Sequence, residues 1–199
     1  MAKAVFDRVA AALGLVVLAP ALVLIAMAIV LEDGFPVLFR QTRVGRGGRP
    51  FRLVKFRSMR VGVAGTRITA GRDPRVTRVG KWLRRRKVDE LPQLWNVLMG
   101  DLSLVGPRPE IPPFVDTEDP VWRAVLEVRP GITDLASLQF RREEEMLAGA
   151  ADAERYYREA ILPPKLSLNL EYIRTRTFWG DLKLIVQTLR ACVATEPRP

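Results

Sequence analysis

Residues 9–31, VAAALGLVVLAPALVLIAMAIVL, run for 23 positions without a charge and limit what this chain can fold into. At about 1.5 Å per residue, a straight helix of that length matches the roughly 30 Å hydrocarbon layer of a bilayer. A soluble helix that is apolar on every side would need protein all round it. A secretory signal fits less well. The run exceeds an h-region of about 7–15 residues, and Glu32-Asp33-Gly34-Phe35 offers no small-residue cleavage site. The segment is expected to associate with a membrane.

Two details complicate a simple crossing. Pro20 lies near the middle, where it removes one backbone hydrogen bond and crowds the carbonyl of Val16. Both flanks are basic, with Lys3 and Arg8 before the run and a cationic block from Arg40 after it. Positive flanks favour the cytoplasmic side for both ends. A helix–break–helix that enters and returns satisfies both facts, and a kinked single span is the other solution, because transmembrane helices tolerate proline. Residue-level physics leaves the two open.

Charge narrows the function classes. The whole chain carries +10, yet residues 40–87 hold 17 Lys/Arg against one acid, Asp73, so the block is +16 and the remainder −6. Such a block suits a polyanion: nucleic acid, anionic headgroups or phosphate-bearing small molecules. Histidine is absent, which excludes Ser-His-Asp and Cys-His machinery and an HExxH zinc site. A single cysteine, Cys192, permits no internal disulfide and points to a reducing, cytosol-facing location. Any metal would be oxygen-ligated, which favours Mg²⁺ or Mn²⁺.

Residues 36–44 and 50–56 read as strands joined by a Gly45-Arg46-Gly47-Gly48 turn. Residues 61–75, with three glycines and Asp73-Pro74, read as a mobile loop. Residues 77–87 read as a helix with Val79, Trp82 and Leu83 on one face. Leu91, Leu94, Trp95 and Leu98 form a second helical stripe that Gly100 ends. Gly106-Pro107-Arg108-Pro109 forces a rigid extended turn, and residues 148–160 read as a polar helix. Residues 179–193 read as an amphipathic helix with Leu182, Ile185, Val186 and Leu189 along one face. It suits either a membrane interface or packing on the core.

The stretch RRRKVDELPQ at residues 84–93 is the most informative for chemistry. Two adjacent carboxylates, Asp89 and Glu90, open a helix directly after four cations. The ordinary reading is an N-cap followed by a first-turn acid favoured by the helix dipole. The functional reading is a carboxylate pair that binds Mg²⁺ and attacks phosphorus while the cations hold phosphates.

The string VDELPQLWNVLMGDLSLVGPRPE at residues 88–110 resembles the signature of bacterial sugar transferases, the small monotopic phosphoglycosyl transferases. Further support comes from FRQTRVG at 39–45, KFRSM at 55–59, RPGIT at 129–133 and DLK at 181–183, so the resemblance covers nearly the whole chain. It implies transfer of a phosphosugar from a nucleoside-diphosphate sugar, expected to be a UDP-sugar, to membrane polyprenyl phosphate. Asp89 would be the nucleophile and a Mg²⁺ ligand, Glu90 its partner acid, and Lys55, Arg84, Arg108 and Arg141 the cations facing substrate. It also favours the re-entrant form of the apolar segment, with Pro20 at the break. Departures from the family pattern fall at Ala19, where a serine is common, and at Asp134 and Phe140-Arg141-Arg142, where sugar or nucleotide sensing is expected.

The resulting expectation is an α+β, mainly helical protein. Residues 1–35 form a re-entrant membrane hairpin and residues 36–199 a small cytosolic catalytic domain with interfacial amphipathic helices. The location is the bacterial cytoplasmic membrane, with the catalytic domain on its cytoplasmic face, and an isologous homodimer is the default assembly. No nucleic-acid partner is expected, because aromatic interleaving for base stacking is thin in the basic block. The competing readings are a membrane-anchored basic binding protein for nucleic acid or anionic lipid without catalysis, and a scaffold that depends on no carboxylate.

Overall fold

The computed structural model describes residues 2–63, 71 and 73–193. The apolar run forms one helix, α1 (Ala2–Asp33), with Pro20 inside it. The helix carries on through the proline, so the expected break is not an interruption of helical structure. Pro20 forfeits one N–H bond, and the neighbouring turns keep theirs. Only Asp7, Ala11 and Ile29 of α1 are buried, which leaves an apolar surface along the rest of the helix.

The expected hairpin is present, with β1 (Leu38–Val44) antiparallel to β2 (Pro50–Phe56) and Leu38 opposite Phe56. The connecting turn takes positive φ at Gly47 and Gly48, a region where glycine carries no Cβ penalty. Of the loop read at 61–75, residues 64–70 and 72 lie outside the described residues. α2 (Arg78–Arg85) starts at Thr77, whose hydroxyl accepts from the Gly80 N–H at 2.9 Å. Trp82 departs from its expected core face. It is exposed and lies beneath the Arg86 guanidinium, 5.0 Å from the ring centroid, while Leu83 is fully buried.

After a tight 88–90 turn, α3 (Gln93–Met99) packs on α1 and β2. Its buried side chains are Gln93, Asn96 and Val97, and Trp95 of the expected stripe is half exposed. Asn96 accounts for the rotation: its amide oxygen accepts from Val54 N–H and its amide nitrogen donates to the Arg52 carbonyl. Tying α3 to the hairpin backbone turns Trp95 outward.

The GPRPE segment follows β3 (Ser103–Val105), which runs parallel to β4 (Gly131–Thr133). Between them lies α4 (Pro120–Leu126), and α5 (Leu135–Gln139) and α6 (Glu143–Ala148) follow. The polar helix read at 148–160 is corrected. α7 (Ala153–Tyr156) passes through a π-helical turn at Tyr157–Ile161 into α8 (Leu162–Thr175). Pro163 and Pro164 supply no N–H donors, so the ladder at this junction shifts. The last helix, α9 (Phe178–Val193), buries Asp181 and Leu184 and leaves Trp179, Leu182, Val186 and Leu189 exposed. Of its apolar stripe, Leu182, Val186 and Leu189 are exposed, while Ile185 packs on the core beside Leu184.

A pair of glycines fixes where the GPRPE turn can lie. A Cβ added to Gly131 would fall 2.1 Å from the Gly106 nitrogen, and one on Gly106 would fall 2.5 Å from the Arg129 carbonyl oxygen. Backbone meets backbone here, so no side-chain rotation relieves the clash. Gly131→Ala is expected to cost at least about 3 kcal/mol, read as a lower denaturant midpoint, and to displace the turn that carries Arg108.

Candidate functional site

The last turn of α1 opens the site. Glu32 accepts hydrogen bonds from the N–H groups of Arg78 and Val79 at 2.7 and 2.8 Å, so α1 caps α2. Arg57 is buried and donates to the carbonyls of Asp33 and Gly34 at 2.9 and 2.7 Å. One member of the basic block thus serves the joint between α1 and the hairpin and is not turned to a ligand.

At the end of α2, Lys87 takes φ 56°, a left-handed conformation unusual for a side chain with a Cβ. The chain turns sharply there, and Asp89 and Glu90 drop into the interior, 5% and 8% exposed. Among the described residues Asp89 caps nothing: the N-cap positions of this turn and of α3 are Lys87 and Pro92, and neither carries a side-chain capping bond. Its Oδ1 is buried with no hydrogen-bond partner among the described residues. Burying two neighbouring carboxylates is costly unless each is compensated.

Glu90 is compensated. Arg108 donates to it from both terminal nitrogens, Nη1 to Oε2 at 3.0 Å and Nη2 to Oε1. Burial alone would raise the Glu90 pKa, but the guanidinium outweighs it and holds the carboxyl at about 2. Arg108 is placed by its own backbone, because its N–H donates to Asp134 Oδ2 at 3.0 Å and Asp134 also caps α5. Asp134 is fully buried in these two roles. Its departure from the family pattern thus has a structural role in holding the Arg108 turn.

Asp89 is different. Burial raises its pKa and the adjacent Glu90 charge raises it further, against the pull of Lys55, Arg84 and Lys87. Lys55, on β2, faces this pair. Burial pushes its ammonium down to about 8, although Asp89 and Glu90 oppose the shift. Arg84 donates to Ser58 Oγ at 3.4 Å and pairs with Glu144 of α6. Glu144 was not singled out in the sequence, where it is one of three consecutive glutamates without a distinguishing signal.

The fold therefore gathers Lys55, Arg84, Asp89, Glu90 and Arg108 from four separate stretches of chain. Arg141 joins at one remove. It follows α5, partly exposed, and its charge acts with those of Lys87 and Glu90 on the Cys192 thiol, which burial pushes up. Pro20 lies in α1, away from this cluster in sequence and without a buried side chain. Sequence reasoning missed Gln93, whose Nε2 is a second buried polar atom without a partner among the described residues. Its DELPQ context was visible, but an amide carries no charge signal.

The donor set fits a hard divalent cation such as Mg²⁺. Asp89 Oδ1 is an oxygen left without a partner, and such an ion commonly takes one or two carboxylates and completes its shell with substrate phosphates and water. No group of three acids able to hold an ion unaided occurs among the described residues. A buried carboxylate ringed by three cations can receive a diphosphate and present an oxygen to phosphorus.

The chain matches the family model described as Bacterial sugar transferase over residues 1–195. A relative in Caulobacter vibrioides, named UDP-glucose:undecaprenyl-phosphate glucose-1-phosphate transferase, is 41% identical over 199 residues, covering 98% of this chain and 70% of its own length. In Komagataeibacter xylinus, the undecaprenyl-phosphate glucose phosphotransferase is 42% identical over 94% of this chain and 35% of its own. The Aeromonas hydrophila UDP-N-acetylgalactosamine-undecaprenyl-phosphate N-acetylgalactosaminephosphotransferase is 39% identical over 92% of this chain. The chain spans only 42% of that relative's length.

Proposed function

Because the chain belongs to the bacterial sugar transferase family, we propose that it transfers a phosphosugar from a UDP-sugar to undecaprenyl phosphate through a covalent phosphosugar–Asp89 intermediate. The observation that carries this reading is Asp89 itself: a buried carboxylate that, among the described residues, caps nothing and has one oxygen unpartnered amid Lys55, Arg84 and Lys87. An Asp89 oxygen attacks the sugar-bearing phosphorus. The bond from that phosphorus to the bridging oxygen breaks, and UMP leaves with the electron pair. An oxygen of the lipid phosphate then attacks the same phosphorus, and the Asp89 carboxylate departs. Bound Mg²⁺ on Asp89 would supply charge neutralisation for the diphosphate. Lys55 and Arg84 hold phosphate oxygens, Arg108 fixes Glu90 and lends its remaining N–H donors, and Arg141 meets the nucleotide sugar.

α1 supports a monotopic arrangement. Lys3 pairs with Asp181 of α9, Asp7 accepts from Ser103 Oγ at 2.6 Å, and Glu32 caps α2. Both ends are held by the same globular body, and a full crossing would drag residues 103 and 181 to the far side. The exposed stripe of α9 suits the same interface. The basic block after α1 favours the cytoplasmic face. Single cysteines at Ala2 and Arg60, in a Cys192→Ser background, should react with an impermeant maleimide from the same side. Labelling from opposite sides overturns the re-entrant reading.

The activity test uses the full chain in nanodiscs with Mg²⁺, a panel of UDP-sugars and undecaprenyl phosphate. UMP should appear together with a lipid-linked diphosphate sugar, and its absence with every donor sinks the proposal. Lys55 also sets a pH limb. Its phosphate-holding charge is present below about 8 and lost above it. Activity should therefore fall as pH rises through that region. Lys55→Arg, which stays charged, is expected to move the alkaline limb up by at least about one unit even at some cost in rate.

A further inference from the structure

The hairpin has a second face that the proposed chemistry does not use. Along the strands, Phe51, Leu53 and Lys55 share one face, with Lys55 toward Asp89, and Arg52, Val54 and Phe56 share the other, where Phe56 at its end is buried against Ile29 and Leu83. On that other side a groove of about 990 Å³ opens between the hairpin, α1 and the start of α3. Leu22 and Ala26 of α1 form one wall, Val54 and Phe56 the opposite wall, and half-exposed Trp95 the end. Its volume lies at the upper limit of ligand sites, about 300–1,000 Å³.

Two cations stand in this apolar groove. Arg40 and Arg52 both line it, and neither guanidinium has an ion-pair partner among the described residues. Arg40 lies opposite Val54, and Arg52 is the next residue along that face, so the two are diagonal neighbours with Cα atoms about 7–8 Å apart. That spacing lets two guanidinium groups converge on one phosphate. The sole acid in the lining, Asp101, accepts from Asn96 Nδ2 at 3.2 Å.

We infer that this groove binds one anionic glycerophospholipid, with its phosphate between Arg40 and Arg52 and an acyl chain laid along Leu22, Ala26, Val54 and Phe56. The lipid is not the acceptor, because strand alternation puts Arg40 and Arg52 on the opposite face of the hairpin from Lys55 and Asp89. Two uncompensated guanidinium groups favour an anionic headgroup over a zwitterionic one, whose ammonium they repel. The bound lipid bridges α1 to the hairpin that carries Lys55. The inference rests on α1 lying in the bilayer, and not on the transfer reaction.

The test uses the full chain. Flotation with phosphatidylcholine vesicles, with and without phosphatidylglycerol, first reports membrane association. Native mass spectrometry after detergent exchange then counts retained lipid. One phosphatidylglycerol per chain should be kept, favoured over phosphatidylcholine by about tenfold or more, as two surface guanidinium groups allow. Arg40→Gln/Arg52→Gln should bring the preference to within about twofold, in line with the loss of those two charges. Ala26→Trp, which fills the groove without changing charge, should abolish retention. A protein that floats but shows no selectivity, or variants that both keep the lipid, overturn the groove alone. A protein that does not float overturns the membrane reading of α1 and the inference with it. Displacement of phosphatidylglycerol one for one by undecaprenyl phosphate reassigns the groove to the acceptor and overturns the proposal.

Discussion

Asp89→Asn is expected to lower phosphosugar transfer by a factor on the order of 10⁴ or more, the scale seen when a covalent nucleophile is removed. The side chain is nearly isosteric and Asp89 Oδ1 has no partner to lose. The substitution removes a charge that burial and Glu90 both disfavour. Stability should therefore stay level or rise. Intact mass after exposure to a UDP-sugar without lipid acceptor supplies the second readout. Wild-type protein should gain the mass of a phosphosugar on the peptide containing Asp89, and the variant should gain nothing. Full turnover by Asp89→Asn would remove the covalent mechanism.

The contrast between Asp89 and its neighbours marks what the sequence could carry. The hairpin was legible because alternating apolar residues flank a glycine turn, and the 88–110 string was legible as a family signature. Which basic residues face inward was not. Beyond the cations the family signature picks out, Arg43 and Arg57 look like any other in a chain with 32 Lys/Arg. Yet Arg57 ties off α1, and Arg43 donates to the Pro109 carbonyl at 2.9 Å and so braces the Arg108 turn. These assignments depend on carbonyls and acids distant in sequence, and local periodicity does not encode them. The same limit applies to α8. Pro163 and Pro164 argue for a stop in the chain order, but tertiary packing of Leu162, Lys165, Asn169 and Tyr172 keeps the helix going.

Tyr157, Lys165, Glu110 and Arg43 show a further layer that only three dimensions reveal. Tyr157 donates to Glu110, Lys165 lies 3.4 Å from the same carboxylate, and Arg43 Nη1 lies 3.7 Å from its other oxygen. Burial would raise Glu110, but Lys165 and Arg43 outweigh it and keep the acid ionised. A charged residue two positions from Arg108 is thus locked to the π-helical turn and α8. The rigid backbone of GPRPE owes its position to these contacts as well as to its prolines.

Arg108→Ala is expected to be the most destabilising change at the site that leaves the backbone intact. Breaking a buried ion pair costs about 3–5 kcal/mol, because one charge stays buried alone. Glu90 is that charge. With Arg108 gone, burial dominates and its pKa should climb from about 2 to above its usual 4.5. The sign of the pH dependence follows. In wild-type protein the pair stabilises fully at neutral pH, and the contribution disappears as pH falls from about 4.5 through about 2. Arg108→Ala should lose that acid-side transition. Pairing it with Glu90→Gln separates holding from catalysis. The double variant no longer buries a lone charge, so most of the stability should return in a double-mutant cycle. Transfer should not return, and should stay at least about a hundredfold down, because the double variant lacks the guanidinium donors that Glu90 leaves unused in the wild-type protein. Arg108→Lys keeps the charge without the two-pronged contact and should fall between. Recovery of transfer in the double variant would make Arg108 a positioning residue for Glu90 and leave the phosphate to Lys55 and Arg84.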